Sequence, residues 1–335
     1  MNWLVIGTVC FGAFMGQLDA SIVTLAFPAI GERFGADAAR VEWVSLAYLI
    51  ALVALLAPVG RFADRVGRKR VYVGGFTVFT AASLACCLAP TLDALVVARV
   101  VQAAGAAMLQ ANSVALIVTN VAPEKMRAAL GVQAGAQALG LAAGPLAGGF
   151  LVTSHGWASV FAINVPVGVA AIVAGHFLLP DAESRGARIE LTPLRDPLVV
   201  AGLGGVLVAY AVLFAPMVVL PFTMRQPLTD VGLVVAVLPT GFAVAATLLT
   251  RASRRAGITL SIVAGLLLTS PVPAVVPLFL LGIGLGIVVP ASSKAVMARI
   301  PACSAGLGSG LVNMARGMGT AAGVAVASLL VHSFQ

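Results

Sequence analysis

GRFADRVGRKR, Gly60 to Arg70, carries six charges of both signs in eleven residues and stands between two long apolar runs, in a chain only 10% charged. Sixty per cent of the 335 residues are hydrophobic and the mean hydropathy is +1.06, whereas a soluble chain is roughly 45–50% apolar. So short a polar stretch between such runs reads as a turn joining two membrane-spanning helices. Runs of about 20 apolar residues recur along the chain, which is the signal of helical spans and not of the ten-residue alternation of a barrel. The fold class is therefore an all-α polytopic membrane protein, with the lipid bilayer as its first partner.

Hydropathy and loops predict about eleven spans, near 3–30, 43–60, 70–89, 93–120, 128–152, 157–179, 197–222, 231–250, 257–270, 274–293 and 305–332. The first run lacks the basic start and small-residue cleavage site of a signal peptide and is too long for one, so it is expected to remain as a helix. Loops after even-numbered spans hold fifteen Lys and Arg, among them Arg61, Arg65, Arg68, Lys69 and Arg70, whereas loops after odd-numbered spans hold three, Arg33, Arg40 and Arg225. That asymmetry puts the N-terminus and the Gly60–Arg70 stretch in the cytoplasm. It also accounts for the net charge of +8 without nucleic acid, which is excluded as a partner. The longest polar break, 181–196, is read as a cytoplasmic loop connecting a six-helix bundle, 1–180, to a bundle of about five helices, 197–335. ADR at Ala63–Arg65 and ASR at Ala252–Arg254 form a faint echo between the halves.

Several residues carry chemistry in this frame. Gly60 and Gly67 permit tight turns and close helix approach. Asp64 is suited to accept from N–H groups at a helix start or from an arginine, and Arg65, Arg68 and Lys69 hold the cytoplasmic face. The stretch is read as a latch of ion pairs; ordinary anchoring of an inside loop is the alternative. Of twelve acids, Asp19 alone falls within a span. A carboxylate in hydrocarbon costs a few kcal/mol and should face the bundle interior, where desolvation disfavours a charged form. Asp19 is therefore the first candidate for proton coupling, with a structural acid as the alternative. Arg99, inside the fourth span, stays charged and would tune such an acid, or else snorkel from a helix end. Gly140, Gly144 and Gly148 form a small-residue face with Gly149 and Pro145 beside it, suited to close packing and a bend. Asn313 and Arg316 lie in the last span, Arg316 with no evident acidic partner, as substrate or structural residues. Gly282–Gly286 (GIGLG) lies within an apolar span and is a packing run, and the histidines and the cysteines Cys10, Cys86, Cys87 and Cys303 lack metal-ligand spacing.

The same stretches resemble the major facilitator superfamily, in its drug:proton antiporter branches. The Gly60–Arg70 pattern is similar to the superfamily's signature loop, LDASIVTLAFPAI (Leu18–Ile30) to the branch's first-helix motif, and ARVVQAAGAA (Ala98–Ala107), with Arg99 and Gln102, to its fourth-helix motif. GLAAGPLAGG (Gly140–Gly149) resembles the antiporter signature of helix 5. WASVFAINVPVG (Trp157–Gly168), with Asn164 and Pro166, resembles the start of helix 6 in the fourteen-span group. The resemblance implies a two-bundle fold with twelve spans expected, and a proton-coupling role for Arg99 beside Asp19. It further implies a gating role for the Gly60–Arg70 loop and contact with substrate, or a structural part, for Gln102, Asn164 and Pro166. The function expected is export of small amphipathic drugs or antibiotics by proton antiport across a bacterial cytoplasmic membrane. The protein would be a monomer with no cofactor, driven by the proton gradient, and not an enzyme, since no His, Asp, Cys or Ser constellation lies near one membrane face. With eleven spans read and the last apparently lacking, the alternatives are a dedicated exporter of one metabolite and a truncated, non-transporting remnant.

Overall fold

The computed structural model describes residues 3–179, 196–223, 228–268, 273–301 and 304–334. The connecting loop 181–196 lies outside them except for Asp196, as does Cys303. The described residues form thirteen α-helices: α1 Trp3–Ile22, α2 Phe27–Phe34, α3 Ala38–Val66, α4 Arg68–Cys87, α5 Leu92–Asn120, α6 Met126–His155, α7 Ser159–Ala162, α8 Asn164–Leu178, α9 Pro197–Thr223, α10 Leu228–Leu248, α11 Arg254–Leu267, α12 Val275–Met297 and α13 Ala305–Phe334. Among the described residues, eight helical stretches are long and apolar enough to cross a bilayer. In hydrocarbon, helices satisfy their backbone groups internally, which is why so apolar a chain folds this way. Leu4, Ile50, Phe150, Phe177 and Leu266 are more than half exposed, while Asp19, Arg99, Gln102 and Ser292 are fully buried. Apolar groups outward and polar groups inward is the arrangement a lipid solvent favours.

Several spans differ from their hydropathic outline: the second, predicted over 43–60, runs from Ala38 to Val66, so the Gly60–Arg70 stretch read as a loop is helical except at Gly67. The first breaks at a 3₁₀ turn, Val23–Ala26, before α2. Pro28, in the first turn of α2, has no N–H for the carbonyl four residues back, so the helical ladder of α1 cannot run on unbroken through it. The sixth span is interrupted at Ile163, between α7 and α8. The ninth begins three residues early, at Arg254, because the Ser253 hydroxyl accepts from Ala256 N at 3.1 Å and caps α11.

The chain divides into two compact units, each assembled from three stretches: Met1–Val121, Gly140–Ile189 and Ala302–Asn313 in the first; Ala122–Leu139, Glu190–Pro301 and Met314–Gln335 in the second. In the first, α5 packs against α1, α3 and α4, and α4 against α8. In the second, α12 packs against α9, α10 and α11. Glycine lets the backbones touch. A Cβ on Gly105 of α5 would lie 2.5 Å from Phe79 N of α4, and one on Gly282 of α12 would lie 2.2 Å from Leu238 O of α10. The GIGLG run is thus a packing face.

The Gly105 contact is sharp enough to test. Gly105→Ala forces α4 and α5 apart and lowers stability by about 1–3 kcal/mol, the usual range for overpacking. Gly265→Ala, inside α11 at a position with nothing within 4 Å, does not lower it and, through helix propensity, raises it by up to about 1 kcal/mol. The apparent Tm of the purified protein in detergent measures both.

Candidate functional site: a buried carboxylate cluster and a helix-start clamp

Asp19, near the end of α1, is the hub of a polar cluster in the first unit. Arg99 Nη1 donates to its Oδ2 at 2.6 Å, while Gln102 Nε2 and Asn164 Nδ2 donate to its Oδ1 at 3.1 and 2.8 Å. Arg99 Nη1 also donates to Gln102 Oε1 at 2.5 Å, and its Nε to the Val44 carbonyl at 3.1 Å. Gln102 Nε2 reaches Ser83 Oγ at 2.8 Å, and the guanidinium lies over the Tyr48 ring, 4.0 Å from its centroid. Six helices meet here: α1, α3, α4 and α5, with α7 supplying Phe161 near the guanidinium and α8 supplying Asn164. Asp19 and Arg99 are both 0% exposed, so Arg99 does not snorkel.

Helical spacing explains how α5 serves this cluster. Arg99 and Gln102, three residues apart, share one face, and the Thr91 hydroxyl starts the helix by accepting from Ala94 N at 3.2 Å. Taking both charges out of water costs several kcal/mol per ion, offset only if the remaining lone pairs and protons find partners. Here three donors serve the carboxylate. Ser83, Tyr48 and the Val44 carbonyl carried no signal in the sequence, because they reach the cluster only through helix packing.

The Gly60–Arg70 stretch forms a second arrangement in the same unit. Asp64 Oδ1 accepts from Arg68 Nε and Nη2 at 3.2 and 3.0 Å and from Gly306 N at 2.9 Å. Its Oδ2 accepts from Leu307 N at 3.0 Å. The carboxylate therefore clamps the start of α13, where orphan N–H groups and the helix dipole favour an anion. Beside it, a Cβ on Gly60 would lie 2.3 Å from Gly306 O. Gly67, at φ +108°, ends α3 by donating to Ala63 O and opens α4 by accepting from Val71 N. Lys69 is half-buried in the first turn of α4, and Arg65 is exposed. Along α3, 16 residues separate Tyr48 from Asp64, about 24 Å at 1.5 Å per residue.

The other predicted residues are dispersed. A Cβ on Gly140 would lie 2.3 Å from Phe14 O, on Gly144 1.8 Å from Ser21 Oγ and on Gly148 3.0 Å from Ile22 O, so this face of α6 lies on the helix that carries Asp19. Gly149 would meet only ordinary contact, and the Pro145 side chain is outside the described residues. Pro166 is exposed in the first turn of α8, away from the cluster. Asn313 Nδ2 donates to the Gln110 carbonyl at 2.7 Å in the first unit. In the second unit, Arg316 is buried and donates from Nη1 to Gln137 Oε1 at 2.8 Å, an oxygen that also accepts from Tyr210 OH at 3.2 Å.

Removing one member of the ion pair strands the other. Arg99→Gln leaves the Asp19 carboxylate buried without its cation and costs about 3–5 kcal/mol, whereas Asp19→Asn/Arg99→Gln together cost less than Arg99→Gln alone. The order of apparent Tm values in detergent tests this.

The riboflavin transporter RibZ of Clostridioides difficile is 35% identical over 180 residues, 53% of this chain and 39% of the relative. The tetracenomycin C resistance and export protein of Streptomyces glaucescens is 38% identical over 185 residues, 55% of this chain and 34% of the relative. The methylenomycin A resistance protein of Streptomyces coelicolor is 35% identical over 181 residues, 54% and 38% of the two chains. The chain thus spans well under half the length of these relatives. The fold is similar to that of the human organic anion transporter MFSD10, with a TM-score of 0.76 at 17% identity, over 98% of this chain and 94% of that one. The sequence profile of the Major Facilitator Superfamily matches residues 9–334, and the chain belongs to that superfamily of membrane transporters.

Proposed function

We propose that this transporter exports small amphipathic compounds, drugs or antibiotics, by proton antiport through alternating access, with the proton gradient as its energy source. The observation that carries the reading is the fully buried Asp19–Arg99 pair. Asp19 is an acid held inside the bundle by one cation and two amides, a residue type and a setting suited to carrying a proton. Gln102 and Asn164 each offer an amide to Asp19 Oδ1, and Arg99 keeps its charge whatever the carboxyl does. The protein works as a monomer in a bacterial cytoplasmic membrane, N-terminus inside, as the loop cations direct. Halves 1–180 and 197–335 serve as the rocking bundles.

Asp64 supplies the gate in this reading. Its hydrogen bonds to Gly306 N and Leu307 N form in one conformation and break in another, a two-state element of the kind alternating access requires. The Gly140, Gly144 and Gly148 face packs α6 closely against α1, the helix that carries Asp19.

A second reading, export of one dedicated metabolite, is favoured by two relatives, a tetracenomycin C exporter and a riboflavin transporter. Both readings meet one experiment. In inverted vesicles given a proton gradient, uptake is followed for lipophilic cations, an aromatic polyketide and riboflavin, in wild type and Asp19→Asn. Antiport predicts gradient-driven uptake that Asp19→Asn abolishes; unchanged uptake in the variant removes Asp19 from coupling. Movement of a single compound selects the dedicated exporter. In the same assay Asp64→Asn, which weakens hydrogen bonds to a charged acceptor worth about 1.5–3 kcal/mol each, slows uptake about tenfold or more.

A further inference from the structure

Two rings stand beside Arg99 in this cluster, and Tyr48 is the nearer. Its ring centroid is 4.0 Å from Arg99 Cζ, against 5.7 Å for Phe161. The side chain is 1% exposed, and its hydroxyl makes no hydrogen bond among the described residues. A buried tyrosine hydroxyl ordinarily finds a partner, so what this residue offers the cluster is its face. The titratable and charged groups around Asp19 are Arg99 from α5, Tyr48 from α3 and Cys86 from α4, the last with Sγ 3.9 Å from Gln102 Oε1. From α7 and α8 come only Phe161 and Asn164.

The charge balance of the cluster changes when a proton arrives. While Asp19 is ionised, its charge and that of Arg99 cancel. Once Asp19 is neutral, Arg99 cannot give up its own proton, and a cation remains in a dry interior. Two neutral acceptors stay with it, Val44 O and Gln102 Oε1. The third support is the aromatic ring, whose negative face attracts a cation most strongly where water is excluded.

We propose that Tyr48 is a positioning residue for proton coupling: its ring holds the Arg99 guanidinium in place when Asp19 is protonated, and so makes the proton-loaded state accessible. This rests on Asp19 being the proton carrier. The tryptophan, tyrosine or phenylalanine ring face is what the role needs, so the hydroxyl is dispensable.

The test uses the full chain in liposomes, with infrared difference spectra recorded across pH and the protonated Asp19 carboxyl band assigned by its loss in Asp19→Asn. Tyr48→Phe, nearly the same size, keeps the wild-type midpoint. Replacing that phenylalanine by its mono-, di- and trifluorinated forms withdraws charge from the ring face at almost constant shape. The midpoint then moves stepwise toward acid, by about one pH unit for the trifluorinated ring, a tenfold change. One midpoint throughout the fluorinated series overturns the proposal, as does a shift already complete in Tyr48→Phe, which would assign the effect to the hydroxyl. A wild type with no titrating Asp19 band would instead remove the coupling role of Asp19, and this proposal with it.

Discussion

Within a bundle of helices in hydrocarbon no water stands ready to solvate a charge, so each buried ion must find its partners in the protein. That constraint organises the first unit. Asp19 on α1 can be buried only because Arg99 and Gln102 of α5 and Asn164 of α8 reach it. Arg99 in turn requires the Val44 carbonyl and the Tyr48 ring of α3. The cluster that suits proton chemistry is also a register mark for these helices. A shift of any of them by one residue would leave a donor or an acceptor bare, at a cost comparable to a good part of a domain's net stability.

Packing obeys the complementary rule. Lipid tails are as apolar as leucine, so helices in a bilayer gain little by hiding apolar surface from one another and associate through close backbone approach. Many of the described glycines are used accordingly. Gly105 meets the backbone of Phe79, Gly140 the carbonyl of Phe14, Gly60 that of Gly306 and Gly282 that of Leu238. The functional motifs in the helices are therefore packing motifs as well, and their chemistry depends on contacts only a missing side chain permits.

Much of this was legible in the sequence. Span positions follow from length and hydropathy, which is a local property, and the singular place of Asp19 follows from its being the acid that the hydropathic outline puts in the interior of a span, away from its ends. Asp64 was legible as an acceptor for a helix start or an arginine, and it serves both, but α13 as the helix it clamps was not. The partners of Asp19 from α3 and α4 were hidden because Ser83, Tyr48 and Val44 are ordinary residues of apolar helices until α5 lies against them. Arg316 shows another limit: a search for an acid could not find Gln137, since an amide oxygen accepts from a guanidinium without leaving any mark in the charge pattern. Pro28 could have announced the break in the first span, but hydropathy averages across a proline and reads only apolar length.

Gly67 is the whole of the connection between α3 and α4: its N–H closes one helix and its carbonyl opens the next. A joint of one residue keeps the two helix ends within a few ångströms of each other, yet a glycine turns about its own dihedral angles at little cost. α3 and α4, which bear Tyr48 and Ser83 farther along, are therefore pinned at this end rather than fused, and the Asp64–Arg68 ion pair spans the pin.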